Sequence, residues 1–307
     1  MRRVLIVVVL VVAAAILGLW RTHGGVRQGL RSAMGVPAEN AQGETREEIR
    51  KSFQLQPGDR VEVQGINGPV TIETSDTKTA EVYVLRTANS SDSLSCREVT
   101  IEQSANGLSV RGKSVRHLMF WEKLWESSPK EQVTIKAPKQ IALLIRGVNG
   151  PVTTGDITGS LEAKGINGRV QLGSASDFAD LAGINGNLTV GLKQLGERGA
   201  RLSGINGNIE LRLGAALNAD LSARGMNGNM RSEIAEVTVE KQQFARQYSA
   251  RIGNGGASVT MSGINGNVRL TRGEAAATSS DAGEKKSAAR QKSDKPSLDS
   301  ETSKNEQ

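Results

Sequence analysis

The stretch SGINGNI, Ser203–Ile209, returns as SGINGNV at Ser262–Val268, and the reading of that unit decides the fold. Gly-apolar-Asn-Gly starts at Gly65, Gly147, Gly165, Gly183, Gly204, Gly225 and Gly263. From Gly147 onward the intervals are 18, 18, 21, 21 and 38 residues, the last being twice 19. A spacing near 20 held over this length marks a repeat architecture, with room for one degenerate copy around ARIGNGGAS, Ala250–Ser258. Each copy has the same grammar: an alternating stretch such as ADLAG, the Ile-Asn-Gly corner, then a second alternating stretch such as NLTVGL. Period-two alternation describes strands with one buried face.

Asn-Gly between alternating strands is also the strongest short hairpin signal, because a type I′ turn needs positive φ at both central residues. In a hairpin turning at Asn185-Gly186, however, Ile184 would face away from the side that carries Leu181 and Val190. Five of the seven copies place isoleucine there (Ile66, Ile166, Ile184, Ile205, Ile264), with Val148 and Met226 in the others. A solvent-facing position does not call for that series. If each copy is instead one rung of a coil, these aliphatic side chains turn inward at a corner and stack about 4.8 Å apart. Asn67, Asn149, Asn167, Asn185, Asn206, Asn227 and Asn265 would stack likewise as an amide ladder.

The expected fold is therefore all-β: a single-stranded, β-helix-like β-solenoid. Its regular repeats span 141–272, and an irregular β cap spans 58–140, where Gly65 and Gly147 are 82 residues apart. One rung cannot stand alone, but stacked rungs share their faces. That suits a chain with 35 glycines and only 3% aromatic residues.

The ends differ in character. Arg2 and Arg3 precede seventeen apolar residues, Val4–Trp20, which is near the lower limit for a bilayer span. No small-residue cleavage site follows, so residues 1–20 read as a signal anchor or transmembrane helix, with everything beyond Trp20 outside the cytoplasm. Residues 21–57 read as a juxtamembrane stalk with one short helix at ETREEIRKSF. The tail, 273–307, has no aliphatic periodicity and is expected to be disordered. From Glu274 onward it carries seven acidic and six basic side chains, so the net charge of +7 resides elsewhere. Cys96 is the only cysteine, which excludes an intrachain disulfide.

Three segments together resemble a known family: FQLQPGDRVEVQGINGPVTIET (53–74), VTIEQSANGLSVRGK (99–113) and EQVTIKAPKQIALLIRGVNGPVTTGDITGSLEAKGINGRV (131–170). They resemble the bacterial putative-adhesin family of β-strand-repeat domains of unknown function, and are similar to the head-GIN domains, named for the Gly-Ile-Asn triplet present here at Gly183, Ile184 and Asn185. The resemblance covers residues 52–272. It implies a β-helix-like domain at the cell envelope, without an established enzymatic activity.

Catalytic chemistry finds little support in the residues. His23 and His117 are the only histidines, and no Ser-His-Asp set or Cys/His metal cluster is spaced for use. Asp156, Asp177, Asp180 and Asp220 do not share a repeat position, as a carbohydrate-cleaving β-helix would require. No catalytic, metal-binding or cofactor-binding residue is assigned. The aromatic cluster Phe120, Trp121 and Trp125 is a candidate contact, to be weighed against a short amphipathic helix or loop packed over the open end of the sheet. The expected role is that of a non-enzymatic, membrane-anchored envelope protein on the extracytoplasmic side, in the periplasm or at the cell surface. It would be an adhesin or surface-interaction module whose partner is an envelope polymer, a glycan or a protein, with no nucleic acid. A membrane-tethered sensor or scaffold in envelope-stress signalling is the alternative, and a carbohydrate-active β-helix enzyme the remote one.

Overall fold

The computed structural model describes residues 45–115, 128–242 and 247–273. In chain order the strands are β1 (Thr45–Gln54), β2 (Arg60–Gln64), β3 (Val70–Ser75), β4 (Thr79–Ala88), β5 (Arg97–Ser104), β6 (Gly107–Ser114) and β7 (Lys130–Pro138). The repeat region follows with β8 (Ala142–Asn149), β9 (Val152–Thr154), β10 (Leu161–Asn167), β11 (Val170–Ala175), β12 (Ala179–Asn185), β13 (Leu188–Leu192), β14 (Ala200–Asn206) and β15 (Ile209–Leu213). Last come β16 (Ala219–Arg224), β17 (Met230–Ser232), β18 (Val239–Gln242), β19 (Gln247–Ile252), β20 (Ala257–Asn265) and β21 (Val268–Arg272). One short helix, α1 (Ser91–Ser95), joins β4 to β5, capped by the Ser90 hydroxyl accepting from the Ser93 N–H.

The strands form two large mixed sheets. The first runs β1-β4-β7-β3-β9-β11-β13-β15-β21-β17, and the second β18-β19-β16-β20-β14-β12-β10-β8-β2-β6-β5. Every repeat copy contributes one strand to each: β12 lies in the second sheet, and β13, three residues later, in the first. Asn-Gly is thus no hairpin turn. It carries the chain across from one sheet to the other, and the inward side chains of both sheets meet in one continuous hydrophobic core.

The corner follows from two glycines. In β12, Ala179 and Leu181 are buried at alternate positions, but the next buried residue is Ile184, three positions on. The slip occurs at Gly183, which sits at φ +63, a left-handed conformation that a side chain disfavours. It aims Ile184 inward and leaves Asn185 outside. Gly186 then has a second reason to lack a side chain, because a Cβ there would stand 2.2 Å from the Gly168 carbonyl oxygen of the rung below.

Rungs stack in parallel and in register. Val148, Ile166, Ile184, Ile205 and Ile264 are successive Cα partners along β8, β10, β12, β14 and β20. Each is almost wholly buried, as are Leu181, Leu188 and Val190 within a single rung. Burial of such aliphatic side chains contributes roughly 1.5–3 kcal/mol apiece, which explains a core that uses few aromatics.

Chain order and spatial order diverge at both ends. The copy at Gly65 stacks directly on that at Gly147: β2 pairs in parallel with β8, and β3 with β9. The residues between them make an excursion that lays β4, β5, β6 and β7 around this end, with β1 antiparallel to β4 at the edge. Residues 45–54, expected as stalk with a short helix, are therefore a ten-residue strand. Ile49 and Phe53, which pack partly against the core, are four residues apart, a spacing that places two side chains on one face of a strand as well as of a helix.

At the other end the described residues of the 38-residue gap form no degenerate repeat. Instead β19 pairs antiparallel with β16, β18 pairs with β19, and Gly253–Gly256 form a turn into β20. The last copy then enters between two earlier ones, with β20 between β14 and β16, and β21 between β15 and β17. The copies follow one another in space as Gly65, Gly147, Gly165, Gly183, Gly204, Gly263, Gly225.

The apolar run 1–20, expected as an anchor, residues 21–44, expected as stalk, the tail from 274 and the aromatic cluster Phe120, Trp121 and Trp125 lie outside the described residues. Among the described residues no helix is long and apolar enough to cross a membrane.

Two predictions follow from this packing. Ile184→Ala should cost about 2–5 kcal/mol, read as a lower urea midpoint at unchanged slope, because the rungs on both sides hold the cavity open. A loss under 1 kcal/mol would show that the corner collapses freely. In the intact fold Asn206 and Asn227 lie two strand spacings apart, about 9.6 Å, too far for a disulfide. In a chain ending at Gly256 the two copies should close on each other, so Asn206→Cys with Asn227→Cys should cross-link there and not in the full chain. Equal cross-linking in both, scored on non-reducing gels, would contradict the interleaved order.

Candidate binding face

The asparagines singled out from the sequence form one unbroken ladder. Nδ2 of Asn149, Asn167, Asn185, Asn206, Asn265 and Asn227 each donates to Oδ1 of the asparagine on the neighbouring rung, at 3.0, 3.0, 3.1, 3.2, 3.0 and 3.0 Å. Asn67 ends the series, with Nδ2 on the Pro129 carbonyl at 2.8 Å and its backbone N–H on Glu131 Oε2 at 3.0 Å. Beneath the ladder Ile66, Val148, Ile166, Ile184, Ile205, Met226 and Ile264 are buried, the most exposed being Met226 at 3%. Most of the ladder's amides spend both oxygen and nitrogen on one another, so this row binds the fold together.

A second row of asparagines has a different chemistry. Asn187, Asn208, Asn229 and Asn267, each two residues after a ladder position, are exposed beside the first sheet. Here the amide oxygen meets backbone. Asn187 Oδ1 accepts the Asn208 N–H at 3.1 Å, Asn208 Oδ1 the Asn267 N–H at 3.1 Å, and Asn267 Oδ1 the Asn229 N–H at 3.0 Å. Because a backbone N–H only donates, the atom facing it must be oxygen, which fixes the amide orientation. Asn267 Nδ2 reaches back to Asn208 Oδ1 at 3.4 Å. Nδ2 of Asn187 and Asn208 and the amide of Asn229 have no partner among the described residues. Sequence reading stopped at Gly-Ile-Asn and missed this row. Its signal was the asparagine that closes the longer GINGN unit in the later copies, where the earlier ones have Pro69, Pro151 and Arg169.

The row borders a groove of about 760 Å³ on the outward face of the first sheet. Gln171, Thr189, Glu210, Arg269 and Arg231 form the next column outward, in register across β11, β13, β15, β21 and β17. Arg269 pairs with Glu233 at 3.2 Å, and Glu210 with Arg212 at 3.1 Å. Arg169 and Arg231, at opposite ends of the groove, make no ion pair among the described residues.

On the second sheet's outward face a cluster of charges pairs internally. Lys164 Nζ lies 2.5 Å from Asp180 and 3.4 Å from Glu162, and Arg146 lies 3.8 Å from Glu162. The hydrogen bond to Asp180, with the Coulombic pull of both carboxylates, raises the Lys164 pKa above its ordinary value despite partial burial. Its stabilising share is thus fully present below the unfolded pKa and is lost as pH rises through the folded one. Beside it the Arg198 guanidinium stacks 3.8 Å over the Phe178 ring.

Other charges serve the scaffold. Glu131 is wholly buried and receives Arg97 Nε at 2.9 Å, tying the excursion to the first repeat corner. Arg86, also buried, donates to the Leu94 carbonyl at 2.6 Å and pairs with Glu47. At the far end the Gly256 N–H and Arg251 hold the Asp220 carboxyl below its usual range. Among the described residues no three His, Cys, Asp or Glu side chains converge on a point.

No family model and no curated protein matches the chain. It is similar to several solved structures. One is a putative cell adhesion protein from Clostridium sporogenes, at 8% identity and TM-score 0.32, covering 74% of this chain and 100% of that one. Another is a putative adhesin from Bacteroides fragilis, at 11% identity and TM-score 0.31, covering 73% and 97%. A third is a putative adhesin from Parabacteroides distasonis, at 15% identity and TM-score 0.31, again covering 73% and 97%.

Proposed function

We propose that this chain is a non-enzymatic, membrane-anchored protein of the cell envelope, an adhesin or surface-interaction module. In this reading the stacked repeat strands of the two sheets form a β-solenoid, and the outward face of the first sheet makes the contact. One observation carries the reading: the groove beside Asn187, Asn208, Asn229 and Asn267 holds polar groups that the fold does not use, whereas the amides of the ladder are spent on one another. The apolar run Val4–Trp20, with Arg2 and Arg3 before it, supports an anchor that leaves the repeats outside the cytoplasm. A row repeated once per strand suits an extended partner, because each rung adds a weak contact at a fixed interval and the sum is a usable affinity.

The test displays the full chain on lipid vesicles through its own N-terminal segment and measures capture of whole bacterial cells and of isolated envelope polymers. Saturable capture that falls when Asn208→Trp fills the groove, with unchanged thermal melting, is the expected result. Capture indifferent to that variant, or release of soluble sugars from the polymers, would reject a passive role for this face.

A further inference from the structure

The polar groups left over in the groove are unequal in kind, and we infer that it takes a linear glycan bearing carboxylates, such as a polyuronate. The inference rests on the proposed function of the same face and names its ligand class.

Among these groups donors outnumber acceptors. Oδ1 of Asn187, Asn208 and Asn267 is occupied by the next backbone N–H, so two of these amides present only their Nδ2 groups outward. Gln171 and Thr189 add adaptable groups one column further out, and Glu210 is already engaged by Arg212. What remains is the Nδ2 groups of Asn187 and Asn208, one strand apart at about 4.8 Å, and the open amide of Asn229, whose oxygen adds one acceptor, between two unpaired guanidiniums, Arg169 on the β11 side and Arg231 at β17. Those strands are four steps apart, so the arginines lie roughly 19 Å from each other along the row. A donor-rich surface selects an acceptor-rich ligand, and a sugar chain offers ring, glycosidic and hydroxyl oxygens along its length. Guanidinium at each end adds planar, two-pronged recognition of carboxylate.

Other polymers fit less well. An extended peptide is held through alternating donors and acceptors along a sheet edge, whereas this groove runs across the strands, from β11 to the edge strand β17. Single-stranded nucleic acid calls for aromatic platforms, and none of the residues lining the groove is aromatic. A poly(glycerol phosphate) chain lacks the ring and glycosidic oxygens that the amide donors would meet between its charges.

The experiment titrates the full chain in detergent micelles with three probes: polygalacturonate, the same polymer fully methyl-esterified, and poly(glycerol phosphate). Polygalacturonate should bind at least about tenfold more tightly than its ester, and added salt should weaken it. Arg169→Gln with Arg231→Gln should remove about that tenfold and leave the ester's weak binding unchanged. Asn187→Ala with Asn208→Ala should weaken both glycans alike. Asn167→Ala, in the structural ladder, should lower the melting temperature without changing affinity at temperatures where the variant is folded. Equal affinity for acid and ester, or tighter binding of the phosphate polymer, would overturn the inference. So would an unchanged affinity in the double arginine variant. Vesicle-borne chain that captures cells yet binds none of the three probes would overturn this ligand class alone, whereas chain that captures no cells or polymers would overturn the proposed function.

Discussion

Between the last glycine of one repeat corner and the carbonyl of the corner beneath there is room for a hydrogen and nothing more. A Cβ added at Gly168, Gly186, Gly207, Gly228 or Gly266 would fall 2.1–2.4 Å from a glycine oxygen of the adjacent rung. That clearance sets the rest. It lets backbones approach at sheet spacing around the bend, keeps each aliphatic corner residue over its counterpart, and brings the amides above it within hydrogen-bond reach. Glycine in a strand usually weakens it. Here the loss is offset because seven copies share one geometry, and each corner that fits improves the fit of its neighbours.

Sharing one geometry also loosens the tie between chain order and spatial order. Any Gly-apolar-Asn-Gly corner can lie on any other, since the contacts are made by the same glycines and asparagines and an aliphatic or methionine side chain in the same register. The interleaving of the copies at Gly204, Gly263 and Gly225 uses this freedom. What selects the observed order lies outside the repeat. The turn Gly253–Gly256 and its anchors, Asn218 accepting the Asn254 N–H and Asp220 accepting the Gly256 N–H, point the last copy back into the stack. The antiparallel strands β18 and β19 then stand where a further rung would otherwise add. A sheet that ends in short antiparallel strands, with Lys241 among them, offers a poor template for another chain.

This explains which features could be read from residues alone. The period, the alternation and the inward isoleucine were legible because each follows from steric rules that act within one or two rungs. The order of the rungs was not, because a repeat sequence carries no label saying which copy sits beside which. The 82-residue gap after Gly65 therefore read as broken spacing, although the two copies are direct neighbours. Strand β1 was hidden by Ile49 and Phe53, whose spacing of four satisfies both helix and strand. The second asparagine row was present as a letter, but its significance lies in which amide atom the neighbouring backbone consumes. That is a property of three-dimensional register, and composition does not contain it.

The two asparagine rows show how one scaffold separates stability from recognition. In the ladder, side chain meets side chain, so the row is closed and a ligand could enter only by breaking it. In the second row, side chain meets backbone, so Asn187, Asn208 and Asn267 are anchored through their oxygens, and Asn187 and Asn208 keep their N–H groups outward. Anchoring matters energetically, because an amide already held in place loses little further rotamer entropy when a partner arrives. Each exposed hydrogen bond is individually weak, with a net value near 1 kcal/mol. Only repetition at fixed spacing makes such contacts useful, and fixed spacing is what the glycine corners enforce.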